Sequence, residues 1–174
     1  DTVADVVASS RVTGYVAAFA DYSSVTDGLN ETPFYVQSEI DVYASDAEAE
    51  AYLVTLLDEP YKYEGVSLET GIITSVKPLE VPDLGDGPGG FEAVLEIPEL
   101  EVKLLLSGIA WRRGSAVLSV SALGQVGHDH FTAVARLAER MDARVGPALI
   151  GELVVEPLPT VQPAIVEVRS PERL

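Results

Sequence analysis

From Phe34 to Ala44 the side chains alternate in character. Phe34, Val36, Ser38, Ile40 and Val42 fall on one side, and Tyr35, Gln37, Glu39, Asp41 and Tyr43 on the other. A period of two is the period of a strand, here with one apolar and one polar face, as in a half-exposed strand. The period then changes at a defined point. Ser45-Asp46-Ala47-Glu48 is a capping box, in which the Ser45 hydroxyl can take the Glu48 amide. Beyond it Ala49, Tyr52, Leu53, Leu56 and Leu57 share one helical stripe, expected to end before Pro60. A strand delivered straight into an amphipathic helix requires a sheet for that helix to pack on.

The other segments extend this pattern. Thr2 to Ser10 reads as a short amphipathic helix, with Val3, Val6 and Val7 at i, i+3 and i+4. Arg11 to Asp21 reads as a strand that is apolar on both faces, which predicts a central position or cover on both sides. Tyr22 to Pro33 is a polar connection. Val66 to Pro78 contains a third strand, with Gly71 as a bulge or close packing point. Pro82 to Gly90 reads as a turn or flexible loop, and strands follow over Phe91–Ile97 and Glu101–Arg112 with a turn near Pro98. Arg112 to Ser115 makes a tight hairpin into Ala116–Leu123. His130 to Val145 is the second long helix, after a Gly- and Asp-rich loop.

Segregated strands joined by short turns indicate an α+β class: an antiparallel β-sheet of about six strands with helices packed on it. Residues 1–150 form one domain by this reading. Residues 151–174, with Pro157, Pro159, Pro163 and Pro171, form a Pro-rich extended C-terminal tail.

A chain of 174 residues can bury roughly 70% of its unfolded surface, so it needs no disulfide or metal staple. It contains no cysteine, which excludes thiolate zinc sites, iron–sulfur clusters, cysteine nucleophiles and disulfide frameworks together. Twenty-eight acidic residues against 11 basic ones give a formal net charge of −17. Nucleic acid is thereby disfavoured, because phosphate binding needs clustered Lys and Arg. An anionic membrane surface is disfavoured by the same sign argument. No apolar run approaches the ~20 residues of a membrane helix. The chain opens at Asp1 rather than Met, so the expectation is a processed or excised chain, with a signal peptide or lipid anchor able to precede it.

Five constellations carry some chemical content. His128-Asp129-His130 holds both histidines and could offer three ligands to a divalent ion, the arrangement a metal-dependent hydrolase would need. The competing reading is that Asp129 caps the following helix. Asp83 and Asp86 sit in a Gly-rich loop, but the spacing misses the EF-hand pattern, and turn chemistry accounts for them. Gly85-x-Gly87-x-Gly89-Gly90 is followed by no Lys-Ser or Lys-Thr and by a strand rather than a helix, so it is not a phosphate loop. Arg136, Arg140 and Arg144 recur every four residues, as a docking stripe for an anionic partner or as a solvated face paired with Glu139. Tyr52, Tyr61 and Tyr63, with Trp111, either line an apolar pocket beneath the first helix or belong to the core. The acids Glu92, Glu96, Glu99 and Glu101 have the character of a solvated surface. Gly-x-Ser-x-Gly and His-Glu-x-x-His are both absent from the sequence.

Several of these segments are similar, in order, to exported bacterial proteins of the PsbP-like α+β fold. They are Arg11-Val12-Thr13-Gly14-Tyr15, then Glu39-Ile40-Asp41-Val42-Tyr43 leading into Ser45-Asp46-Ala47-Glu48-Ala49. The Leu84-Gly85-Asp86 turn, the Trp111-Arg112-Arg113-Gly114 hairpin and the Leu137–Arg144 helix follow. The resemblance covers Ser10 to Val145 and extends to domains of actinobacterial lipoproteins and receptor-kinase sensors. It implies a non-enzymatic, extracytoplasmic domain, secreted or lipid-anchored. It transfers no functional residue, because the matching positions are turns, caps and core. The chain departs from several of those sensor domains in lacking cysteines and in carrying the Pro-rich tail.

The functional expectation is an accessory or binding domain without catalytic machinery. It would need no cofactor and would hold a small apolar ligand or a protein partner between sheet and helix. The alternatives are an interaction or sensory module of a longer protein, and a metal-dependent hydrolase using His128 and His130.

Overall fold

Among the described residues, strand alternation, short turns and two amphipathic helices build an antiparallel sheet with one helix on each face. The computed structural model describes residues 10–20, 33, 35–68 and 71–149. The helix expected over Thr2–Ser10, the Tyr22–Pro33 connection and the tail at 151–174 lie outside the described residues, apart from Ser10 and Pro33.

The strands are β1 (Arg11–Ala20), β2 (Tyr35–Tyr43), β3 (Ser67–Leu68), β4 (Gly71–Leu79), β5 (Asp86–Ile97), β6 (Val102–Arg113) and β7 (Ala116–Gln125). The helices are α1 (Asp46–Lys62) and α2 (Phe131–Leu149). Spatial order is β1-β2-β7-β6-β5-β4-β3, and these strands pair antiparallel throughout. Among the described residues the sheet therefore has seven strands rather than six. The extra one is β3, which pairs Ser67 with Ile72 and Leu68 with Gly71. Gly71 adopts φ +140° and is a close packing point as expected, since a Cβ there would press on the Glu96 carbonyl.

Alternation on β6 and β7 decides which helix lies where. Ala110 and Val117 pack with Tyr43 against Ala49 and Leu53 of α1. Their neighbours Ile109, Trp111, Leu118 and Val120 pack against Val134 and Ala138 of α2. Because successive strand residues point to opposite faces, the two helices sit on opposite sides of the sheet.

Four local expectations are corrected. The expected central β1 is an edge strand among the described residues, with Val12 66%, Tyr15 68% and Phe19 66% exposed. Both helices lie over the β6–β7 centre, so apolar character on two faces did not bring cover on two faces. The polar side of β2 is more deeply buried than a half-exposed strand implies, with Asp41 2% and Tyr43 4% exposed. The reason is that α1 starts three residues after β2 and folds straight back over that side. The glycine-rich stretch Asp86–Gly90 is not a loop but the start of β5. Its missing side chains make room for α1, since a Cβ on Gly89 would lie 2.6 Å from Leu57. Finally, α1 runs through Pro60 to Lys62, with the Tyr63 amide donating to the Pro60 carbonyl and the Glu64 amide to the Tyr61 carbonyl. A proline in the last turn removes only one intrahelical donor, which the helix end tolerates.

The helix starts match expectation. Ser45 Oγ accepts the Glu48 amide at 3.3 Å, and the Ser45 hydroxyl reaches Glu48 Oε2 at 3.0 Å. Gly114 and Ser115 form the two-residue hairpin turn between β6 and β7, with Gly114 at φ +58°. No helix among the described residues is long and apolar enough to cross a membrane.

Candidate functional site

Among the described residues, two recesses open on opposite sides of the sheet, and their positions follow from where the helices are anchored. On one side α2 is tied over β6 by Asp142, which accepts from Trp111 Nε1 at 2.9 Å and from Arg113 Nε at 2.8 Å. Arg113 Nη2 completes a bidentate pair with Asp142 Oδ2 at 2.6 Å. These bonds, that of Arg113 foremost, hold the Asp142 carboxyl below the usual carboxylate range. Anchored there, the helix leaves β2 and β1 incompletely covered.

The uncovered strip is a cleft of about 390 Å³ between β2 and α2. Ser38 and Ile40, from the even-numbered side of β2, line its sheet wall. Leu137, Met141 and Val145, one turn apart, line its helix wall, and Arg140 and Arg144 stand beside them. In register beside Ile40 on β1 is the exposed Tyr15. Among the described residues, Arg136, Arg140 and Arg144 take part in no ion pair, so the expected pairing with Glu139 is not made.

The other recess, about 170 Å³, lies on the α1 side. Gly108, Ser119 and Ser121 form its floor, Leu56, Phe91 and Leu106 its walls, and Gln37 and Glu39 its rim. The polar side of β2 continues from that rim as a chain of contacts. The Tyr35 hydroxyl donates to Gln37 Oε1 at 2.6 Å, and Gln37 Nε2 donates to Glu39 Oε2 at 3.3 Å. Arg11 stands 4.0 Å from Glu39 and 2.6 Å from Asp41, crossing over Gly14, which lies opposite Asp41 in the register. The Arg11–Asp41 contact is an ion pair without hydrogen-bond geometry. Burial, reinforced by the Glu39 carboxylate and only partly offset by Arg11, pushes Asp41 up to about 6. Burial likewise raises the phenols of Tyr43 and Tyr52, whose rings lie 5.0 Å apart.

The structure assigns the other sequence candidates to local structural work. Asp129 caps α2, accepting the Thr132 amide at 3.1 Å and the Thr132 hydroxyl, and these bonds lower its carboxyl. His130 is fully buried on Gly124, with Nε2 donating to the Gln125 carbonyl at 3.1 Å and Nδ1 without a partner among the described residues. The His128 ring centroid is 6.2 Å away. No group of three metal-binding side chains forms among the described residues. Asp86 faces Arg112 at 3.7 Å, while Asp83 is exposed. Glu92 and Glu96 pair across strands with Lys77 and Lys103, at 2.6 Å and 3.0 Å, and Glu99 and Glu101 are exposed. Of the two readings for Tyr52, Tyr61, Tyr63 and Trp111, a shared aromatic pocket does not assemble. Trp111 is buried under α2, Tyr52 on α1 packs on Tyr43 of β2, and Tyr61 and Tyr63 are each 39% exposed.

Sequence reasoning missed the Arg11–Glu39–Asp41 cluster and the wall formed by Ser38 and Ile40. One signal was present: Glu39 and Asp41 at i and i+2 between two tyrosines place two acids on a face that α1 must cross.

No family model matches the sequence, and no curated protein does. Among solved structures the chain is similar to the extracellular domain of PknH from Mycobacterium tuberculosis, at 10% identity and a TM-score of 0.40, over 82% of this chain and 92% of that one. It is also similar to PA94, a protein of unknown function from Pseudomonas aeruginosa, at 15% identity and a TM-score of 0.35, over 83% of this chain and 84% of that one.

Proposed function

We propose that this chain is a non-catalytic binding module of the PsbP-like type, acting outside the cytoplasm and taking a small apolar ligand in the cleft between β2 and α2. The observation that carries the reading is the cleft itself. It is open to solvent, its volume of about 390 Å³ falls within the ~300–1,000 Å³ of ordinary small-molecule sites, and Ile40, Leu137, Met141 and Val145 make most of its lining apolar. The residues best suited to catalysis serve local structure instead: Asp129 as a helix cap and His130 as a buried donor to a carbonyl. The extracytoplasmic location is supported by the sequence resemblance over Ser10–Val145.

Titration with the neutral dye Nile red tests the site. Saturable, one-to-one fluorescence enhancement is expected for the natural chain and is expected to be lost in Ile40→Trp, which fills the sheet wall. No enhancement, or equal enhancement in the variant with an unchanged melting temperature, overturns the assignment.

A protein-interaction reading has one observation of its own. The described β1 edge exposes Val12, Tyr15 and Phe19, and no charged residue follows Arg11 within the strand to discourage another strand from pairing with it. Attenuated amide exchange along Val12–Ala20 on addition of a partner would favour that reading.

A further inference from the structure

The class of ligand can be taken one step further, on the premise that the β2–α2 cleft is the binding site. We propose that the cleft accepts a single-chain amphiphile with a carboxylate head group, its tail along Ile40, Leu137 and Met141 and its head on Arg140 and Arg144. Charge complementarity carries the argument. The chain has 28 acidic residues and 11 basic ones, so carboxylate partners are abundant. Arg11, Arg112 and Arg113 each hold one. Arg140 and Arg144 hold none among the described residues, and both line the apolar cleft.

Their spacing sharpens the point. Side chains at i and i+4 lie one above the other on a helix, and like charges so placed repel. An anion between the two guanidinium groups relieves that repulsion and accepts charge-assisted, bidentate hydrogen bonds from planar donors suited to a carboxylate. The apolar wall begins immediately beside them, at Leu137, Met141 and Val145. An anion alone would leave that wall wet, and a neutral hydrocarbon would leave the two cations unanswered. At about 390 Å³ the cleft lies in the size range of small-molecule sites and accommodates one medium-length chain. Arg136, on the same helix one turn earlier, is exposed and does not line the cleft, so it is an internal control.

Calorimetric titration with decanoate and with decanol, below micelle-forming concentrations, tests the inference. In low salt the natural chain is expected to bind decanoate at least about tenfold more tightly than decanol, the worth of one charge-assisted hydrogen bond. The preference should shrink as salt is raised, because exposed charges are screened. Arg140→Gln/Arg144→Gln should abolish the preference while leaving decanol binding in place, and Arg136→Gln should change neither. These side chains are on the surface, so the circular dichroism spectrum should be unaltered. Equal binding of decanoate and decanol, or an undiminished preference in the double variant, overturns the carboxylate inference and leaves the apolar site standing. Binding of neither ligand overturns both readings.

Discussion

Trp111 Nε1 donates to Asp142 Oδ1 at 2.9 Å, joining the middle of the sheet to α2 across 31 residues of sequence. The same carboxylate takes two further bonds from Arg113. It thus fixes both the position of the helix over β6 and the rotation of its faces. That rotation directs Val134 and Ala138 into the core and leaves Leu137, Arg140, Met141 and Arg144 on the cleft.

Asp142→Ala removes the acceptor from a buried indole N–H and from a guanidinium. A loss of about 2–3 kcal/mol in unfolding free energy is expected, read as a lower urea midpoint. The pH dependence has a definite sign. A carboxyl whose folded pKa lies below its unfolded one contributes stability above the unfolded value, about 3.9. That contribution is lost as pH falls further, through the depressed folded pKa. The natural chain should therefore lose this stability below about pH 4, and the variant should lack that component.

Asp41 works in the opposite direction. Its folded pKa of about 6 lies above the ordinary carboxylate value, so between about pH 4 and 6 the folded chain binds more protons than the unfolded one. Its contribution is fully favourable below the unfolded pKa and declines as pH rises through the folded one. Asp41→Asn should flatten the fall in urea midpoint between pH 4 and pH 6. An equally steep fall in the variant would assign that slope to other groups.

Gly124 owes its identity to a side chain, not to a turn. A Cβ there would collide with the His130 ring, which lies on the strand. Gly124→Ala is expected to cost about 1–3 kcal/mol through overpacking. In the His130→Ala background the same change should cost little, because the ring is gone. A double-mutant cycle on urea midpoints measures the coupling, and strict additivity would contradict the contact.

Much of the local structure was legible in sequence. The capping box at Ser45, the α1 stripe, the Gly114 turn and the Asp129 cap each depend on residues within a few positions of one another, and each forms as read. The elements misread were those whose environment is supplied from elsewhere in the chain. Val12–Ala20 has the pattern of a covered strand, yet its place at the edge is decided by the β2–β7 pairing and by helices centred over β6 and β7. Asp86–Gly90 has the composition of a loop, but there glycine accommodates α1 rather than ending a strand.

The candidate site divides along the same line. The four-residue repeat of Arg136, Arg140 and Arg144 is a property of the sequence, because helical geometry alone aligns such residues. Which two of the three adjoin an apolar cleft depends on the rotation of α2, set by the Trp111–Asp142 bond. Alone, then, the sequence determined the elements, their caps and the acidic, cysteine-free chemistry, since those depend on composition and short-range geometry. Only the tertiary structure decided which faces are covered and where a cleft remains, because burial depends on residues far apart in the chain.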